Sequence, residues 1–164
     1  MHPGSLVAVI DSARNTIPVD LPGAKGKVEV TGALGIVARV QINGERARPQ
    51  RGGWPIPLKN GGETKLMVKG FLPGFQRFTW NGETALQLGA HVRLPEKIAM
   101  FAPFLLMFAW VFLAPISLAL FMMNIPIVKN PLMPRALRIA IPIINTLAGG
   151  IAWLALASMV GNKA

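Results

Sequence analysis

Side chains able to do chemistry are few in this sequence. It has no cysteine and two histidines in 164 residues, which removes disulfides, thiolate zinc sites, cysteine nucleophiles and iron–sulfur clusters. A histidine-rich metal centre and a haem held by two histidines in the membrane lack ligands for the same reason. Ser5, Ser12, Asp11, Asp20 and His91 nominally supply the hydroxyl, carboxylate and imidazole of a hydrolase triad, yet neither serine stands in a nucleophile elbow. Gly26-Lys27 resembles the end of a phosphate-binding loop, but Val28 stands where Ser or Thr is needed and Leu21 where the first glycine is needed. Glu29, Glu45, Glu63 and Glu83 fall beside predicted turns or on solvent faces, where carboxylates serve solubility. The expectation is a non-enzymatic protein with no catalytic, metal or cofactor-binding residue.

Binding chemistry is better represented. Arg46, Arg48 and Arg51 cluster around Gly52-Gly53-Trp54. A basic, aromatic-containing loop on a small β-domain suits a lipid surface or an acidic subunit, and in principle single-stranded nucleic acid. Nucleic acid is the least expected of these partners in a membrane-attached chain. Lys129, Arg135 and Arg138 form a second basic group, suited to anionic lipid headgroups or simply to ending the helices that flank them.

The elements that position these residues are of two kinds. Residues 1–97 hold 13 basic and all 7 acidic side chains, whereas residues 98–164 hold only Lys129, Arg135, Arg138 and Lys163. Residues 98–128 and 139–162 are uncharged runs of 31 and 24 residues, and about 20 apolar helical residues suffice to cross a bilayer core. Transmembrane helices are predicted over 98–123 and 139–160. The link over 124–138 contains Pro126, Pro131 and Pro134, which block continuous helix, and residues 161–164 form a tail. An antiparallel hairpin results, with no ionisable residue inside either span, so a pump or proton-coupled transporter is not expected.

The hairpin offers packing surfaces. Ala148 and Ala152 form a small-xxx-small step with Ala155 close to the same face and Gly149 beside it, allowing another backbone to approach, its own or a foreign one. Trp110 and Trp153 fall near mid-depth and, with the phenylalanines of the first span, give an aromatic surface for partner helices, lipid, or a pigment or quinone.

Residues 1–97 alternate with period two, as in Val40 and Ile42 against Arg39 and Gln41, or Leu66 and Val68 against Lys65 and Met67. Strands are predicted at 6–10, 27–31, 36–42, 64–68, 75–80 and 84–88, punctuated by Asn43-Gly44, Asn60-Gly61 and Asn81-Gly82 turns. This pattern indicates a β-sandwich or small barrel ahead of the membrane hairpin. The echo between Ile42-Asn-Gly-Glu45 and Trp80-Asn-Gly-Glu83 reads as recurrent hairpin chemistry and not as a duplicated unit.

Over residues 36–80, the run Val40-Gln-Ile-Asn-Gly44, Pro55-Ile-Pro-Leu58, Asn60-Gly-Gly-Glu-Thr-Lys-Leu-Met-Val68 and Gly70-Phe-Leu-Pro-Gly-Phe75 resembles the PEGA-type β-sandwich pattern. The Pro-Glu-Gly-Ala signature itself is absent, and Leu21-Pro-Gly-Ala24 is a distant echo of it. The resemblance implies a non-catalytic, often envelope-associated adhesion or scaffold module and names no active site.

The amino-terminal residues have neither a charged n-region nor a long apolar h-region, so the first span is expected to act as targeting signal. Counting Arg93, Lys97 and Lys163 against Lys129, Arg135 and Arg138 leaves the positive-inside rule undecided. A bacterial-type inner-membrane protein with two spans and a cytoplasmic β-domain is expected. Its expected role is that of an accessory or assembly subunit of a larger membrane complex, respiratory or photosynthetic types included, with other membrane subunits and headgroups as partners. The competing expectation is a membrane-anchored module that binds an acidic ligand, lipid or envelope polymer.

Overall fold

The computed structural model describes residues 15–109 and 111–161. The chain divides into two compact units between Ala90 and His91. Residues 91–97, assigned from sequence to the β-domain, therefore open the helical unit.

In the first unit the strands are β1 (Thr16–Val19), β2 (Val28–Thr31), β3 (Arg39–Ile42), β4 (Glu45–Arg46), β5 (Gly53–Pro57), β6 (Glu63–Lys69), β7 (Arg77–Trp80) and β8 (Glu83–Gln87). They form two four-stranded antiparallel sheets, each a meander in chain order, β1-β2-β3-β4 and β5-β6-β7-β8. The strand predicted at 6–10 lies outside the described residues. Sequence reading missed β1 and β5, which carry Pro18 and Pro55. Both are edge strands, where a proline's missing N–H takes no bond from the ladder.

One hydrophobic core serves both sheets. Ile17, Val28, Val30 and Val40 from the first join Trp54, Ile56, Leu66, Phe78 and Trp80 from the second. Val30, Val40, Ile56 and Leu66 are fully buried, each worth about 1.5–3 kcal/mol relative to exposure. Trp80 Nε1 donates to the Pro22 carbonyl at 3.2 Å, so its polar edge is satisfied where the ring is buried.

The two sheets are repeats of one another, which overturns the reading of the Asn-Gly-Glu echo as coincidence of turn chemistry. At a constant offset of 38 residues, 23–45 matches 61–83 with nine identities: Gly23/Gly61, Lys27/Lys65, Val30/Val68, Gly32/Gly70, Leu34/Leu72, Arg39/Arg77, Asn43/Asn81, Gly44/Gly82 and Glu45/Glu83. The registers of β2–β3 and of the turn end of β3–β4 recur at the same offset in β6–β7 and β7–β8, whereas those of β1–β2 and β5–β6 differ. Thr31↔Arg39 and Val30↔Val40 in one sheet become Lys69↔Arg77 and Val68↔Phe78 in the other, and Ile42↔Glu45 becomes Trp80↔Glu83. Backbone conformation repeats too, with φ of +51° and +85° at Asn43-Gly44 against +49° and +87° at Asn81-Gly82. Positive φ at both central positions is what a two-residue hairpin turn of matching twist requires.

The second unit contains α1 (Leu94–Met100), a 3₁₀ turn (Ala102–Phe104), α2 (Leu105–Ala109), a second 3₁₀ turn (Val111–Leu113), α3 (Ala114–Lys129) and α4 (Arg135–Gly161). Val111–Lys129 and Arg135–Met159 are long and apolar enough to cross a membrane. The single helix expected over 98–123 is not formed. A continuous helix over the 31 uncharged residues measures about 46 Å, well beyond a core of about 30 Å, and the chain breaks and folds back within it. Pro126, expected in the link, lies inside α3. In an apolar setting the other backbone groups gain most by staying in helix. The connection is thus only 130–134, tightened by Asn130 Oδ1, which accepts from Leu132 N at 3.0 Å.

Chain direction in this unit follows from its contacts. His91 Nε2 donates to the Lys129 carbonyl at the end of α3 (3.1 Å). Phe101 and Phe104 stack on Phe121 with centroids 5.0 and 5.1 Å apart, and Leu106 lies against Gly150. Residues 92–109 therefore run the length of α3 in the opposite direction, as a broken leg parallel to α4.

Candidate functional site

In the β-unit, Arg46 at the end of β4 and Arg48 and Arg51 on the β4–β5 connection are all exposed. Between the first two, Ala47 packs on the core and donates its N–H to the Val40 carbonyl at 2.9 Å. Alternation along the extended chain then turns Arg46 and Arg48 outward together. Arg51 and Gly52 form the tip, at φ +40° and +82°, closed by reciprocal backbone bonds between Gln50 and Gly53 of 2.7 and 3.1 Å. Trp54, expected to stand with these arginines as a contact residue, is instead 9% exposed and packs on Phe78 with ring centroids 5.7 Å apart. The core gains an indole's worth of apolar burial, and the loop has no stacking platform.

In the helical unit, the organising group is one the sequence reading passed over. Glu96 is fully buried. Its Oε1 accepts from Arg135 Nε at 3.1 Å and lies 3.9 Å from an Arg138 Nη, while Oε2 accepts the Arg93 backbone N–H at 2.8 Å. Glu96 is the third residue of α1, with Pro95 before it. Arg93-Leu-Pro-Glu96 is thus a helix-start pattern, a signal that could have found it. The Arg135 bond, the Arg93 N–H and the nearby Arg138 charge compensate the buried carboxylate. Partial burial pushes the nearby His91 imidazole down, more than its bond to the Lys129 carbonyl raises it. Arg135 and Arg138 stand in the first turn of α4, the end that favours negative charge, and Glu96 supplies it from another element.

These contacts correct the expectation that Lys129 and Arg138 face headgroups. Lys129 is 1% and Arg138 8% exposed, and Arg138 Nε donates to the Met133 carbonyl at 2.8 Å. Arg135 keeps a side chain 48% exposed. Arg93 and Lys97, counted from sequence on the opposite side from the link, flank Glu96 at the link end.

Along the hairpin, Gly149 lies against α3, where an added Cβ would meet Leu120 Cδ1 at 2.8 Å. Trp153 is half-buried, whereas Ala148, Ala152 and Ala155 are exposed. Trp110 lies outside the described residues. Asn145 Nδ2 donates to Asn124 Oδ1 at 3.0 Å between the two helices. Thr146 and Ser158 bond to backbone carbonyls one turn earlier.

Among the described residues no group of three or more His, Asp or Glu side chains could hold a metal. Ser5, Asp11 and Ser12 lie outside them. No protein-family model, curated protein or solved structure matches the chain.

Proposed function

We propose that this protein is a non-catalytic accessory or assembly subunit of a larger membrane complex. Its helical unit packs on partner helices and its β-domain, read as a sandwich of two repeated sheets, braces an extramembrane surface. The observation that carries this reading is the uncovered state of α4. Only 11% of its apolar window is buried, and Ile144, Leu147, Ile151 and Leu154 are exposed on the same helix as Ala148, Ala152 and Ala155. Lipid can cover large side chains, but a row of small ones is best covered by a closely approaching backbone. Purification from native membranes in mild detergent tests the proposal. The protein should carry partner subunits along, and Ala148→Leu with Ala152→Leu should release them while the helical unit stays folded. A monomer with no co-purifying subunit sinks it.

In the same reading the protein resides in a bacterial-type inner membrane with the link end cytoplasmic. Arg93, Lys97, Lys129, Arg135 and Arg138 all belong to that end, and only Lys163 follows α4 in the sequence. Five against one replaces the even count drawn from sequence. Residues 92–109 traverse the depth that α3 does, so the bundle passes the membrane three times. The chain enters it on the link side, and the β-domain is cytoplasmic by continuity at Ala90.

A further inference from the structure

The internal repeat isolates what the fold requires from what it does not. At the 38-residue offset, Arg46, Arg48 and Arg51 correspond to Thr84, Leu86 and Gly89. Ala47 corresponds to Ala85, and both pack against the common core. Thr84 is exposed like Arg46, whereas Leu86 is buried in the core and pairs with Phe78 after a register shift, so the two copies diverge beyond Ala47 and Ala85. The second copy completes its sheet with none of the three arginines. Position 51 is the sharpest case. Arg51 adopts φ +40°, and Gly89, 38 residues on in the sequence, adopts φ +65°, a conformation glycine takes without cost. A long side chain held in the left-handed region is strained.

We infer that the Arg46–Arg48–Arg51 loop is a docking surface for an acidic polypeptide segment, the partner contact of the β-domain. The inference rests on the subunit reading above for its setting and on the exposure and charge of these side chains for its residues. The three guanidiniums are exposed, and none makes an ion pair or side-chain hydrogen bond with another described residue. Three arginines with no lysine among them suit forked, bidentate recognition of carboxylates more than diffuse attraction to a charged sheet of lipid. With Trp54 in the core, the loop lacks the aromatic face on which unpaired bases stack.

The full chain in nanodiscs of zwitterionic lipid, titrated with a fluorescent Glu-rich decapeptide at moderate and high salt, tests this. Wild type should bind, and Arg46→Glu, Arg48→Glu and Arg51→Glu together should weaken binding at least tenfold. Lys59→Glu, Lys65→Glu and Lys69→Glu, the same charge change on exposed side chains elsewhere, should leave it within twofold. Arg51→Gly, which copies Gly89 and keeps the turn, should weaken it about threefold and guards against a misfolded triple variant. Equal loss in the arginine and lysine variants overturns the proposal. So does tighter binding to phosphatidylglycerol vesicles or to an oligothymidylate than to the peptide at matched salt. Loss of peptide binding with α4-dependent co-purification intact removes this surface and leaves the subunit reading standing, and the converse result separates them the other way.

Discussion

His91 Nε2 lies 3.1 Å from the backbone carbonyl of Lys129, so the start of the helical unit is fastened to the far end of α3. A simple two-pass hairpin would put these residues on opposite faces of the bilayer. The chain has no native cysteine, so Leu94→Cys, Leu132→Cys and Met159→Cys, exposed by 69%, 76% and 64%, report sidedness singly. Membrane-impermeant maleimide should label the first two from one side of the vesicle and the third from the other. Labelling of Leu94→Cys together with Met159→Cys would rule out three passes.

Glu96 joins α1 to α4, and removing its charge strands two arginines. Glu96→Gln should cost the helical unit about 3 kcal/mol, the lower end for a broken buried pair because Arg135 is half-exposed. The His91 imidazole, lowered from 6.5 by partial burial, gives a contribution present above pH 6.5 and lost on acidification. Thermal unfolding in detergent should therefore show a less stable Glu96→Gln variant and, in wild type, a loss of stability as pH falls below 6.5.

Arg51→Gly should stabilise the β-unit by about 0.5–1 kcal/mol, since relief of left-handed strain exceeds glycine's entropic cost. Denaturant midpoints of wild type and variant decide it. A destabilised variant would show that the Arg51 side chain holds the loop.

Trp54 and Arg48 are six residues apart and should behave oppositely. Trp54→Ala opens the shared core beside Phe78 and should cost about 3–5 kcal/mol. Arg48→Ala should change stability by no more than about 0.5 kcal/mol. Urea unfolding followed by circular dichroism measures both.

On α4, Gly149→Leu drives a side chain into Leu120 and should destabilise the bundle by about 1–3 kcal/mol. Ala152→Leu, on an exposed position, should leave the lone chain unchanged and act only on co-purification of partners. Loss of stability in Ala152→Leu would mean that its face is already used within the chain.

Sequence alone determined what is local. Uncharged length marks the helices long and apolar enough to cross a membrane, because the bilayer reads length and apolarity one residue at a time. Asn43-Gly44 and Asn81-Gly82 mark hairpins, because their conformational tolerance is intrinsic. Period-two alternation around Val40 and Leu66 marks the buried faces of strands. The role of Trp54 was not legible, because an indole next to arginines suits a surface and a core equally until a neighbouring strand covers it. Edge strands with prolines escaped for a related reason, since only sheet order reveals which N–H groups go unused. The repeat became legible once strand pairing showed that scattered identities share one register. Glu96 required the fold most of all. Its partners lie 39 and 42 residues along the chain, and only the return of the polypeptide to the link end brings the single carboxylate to the arginines that need it.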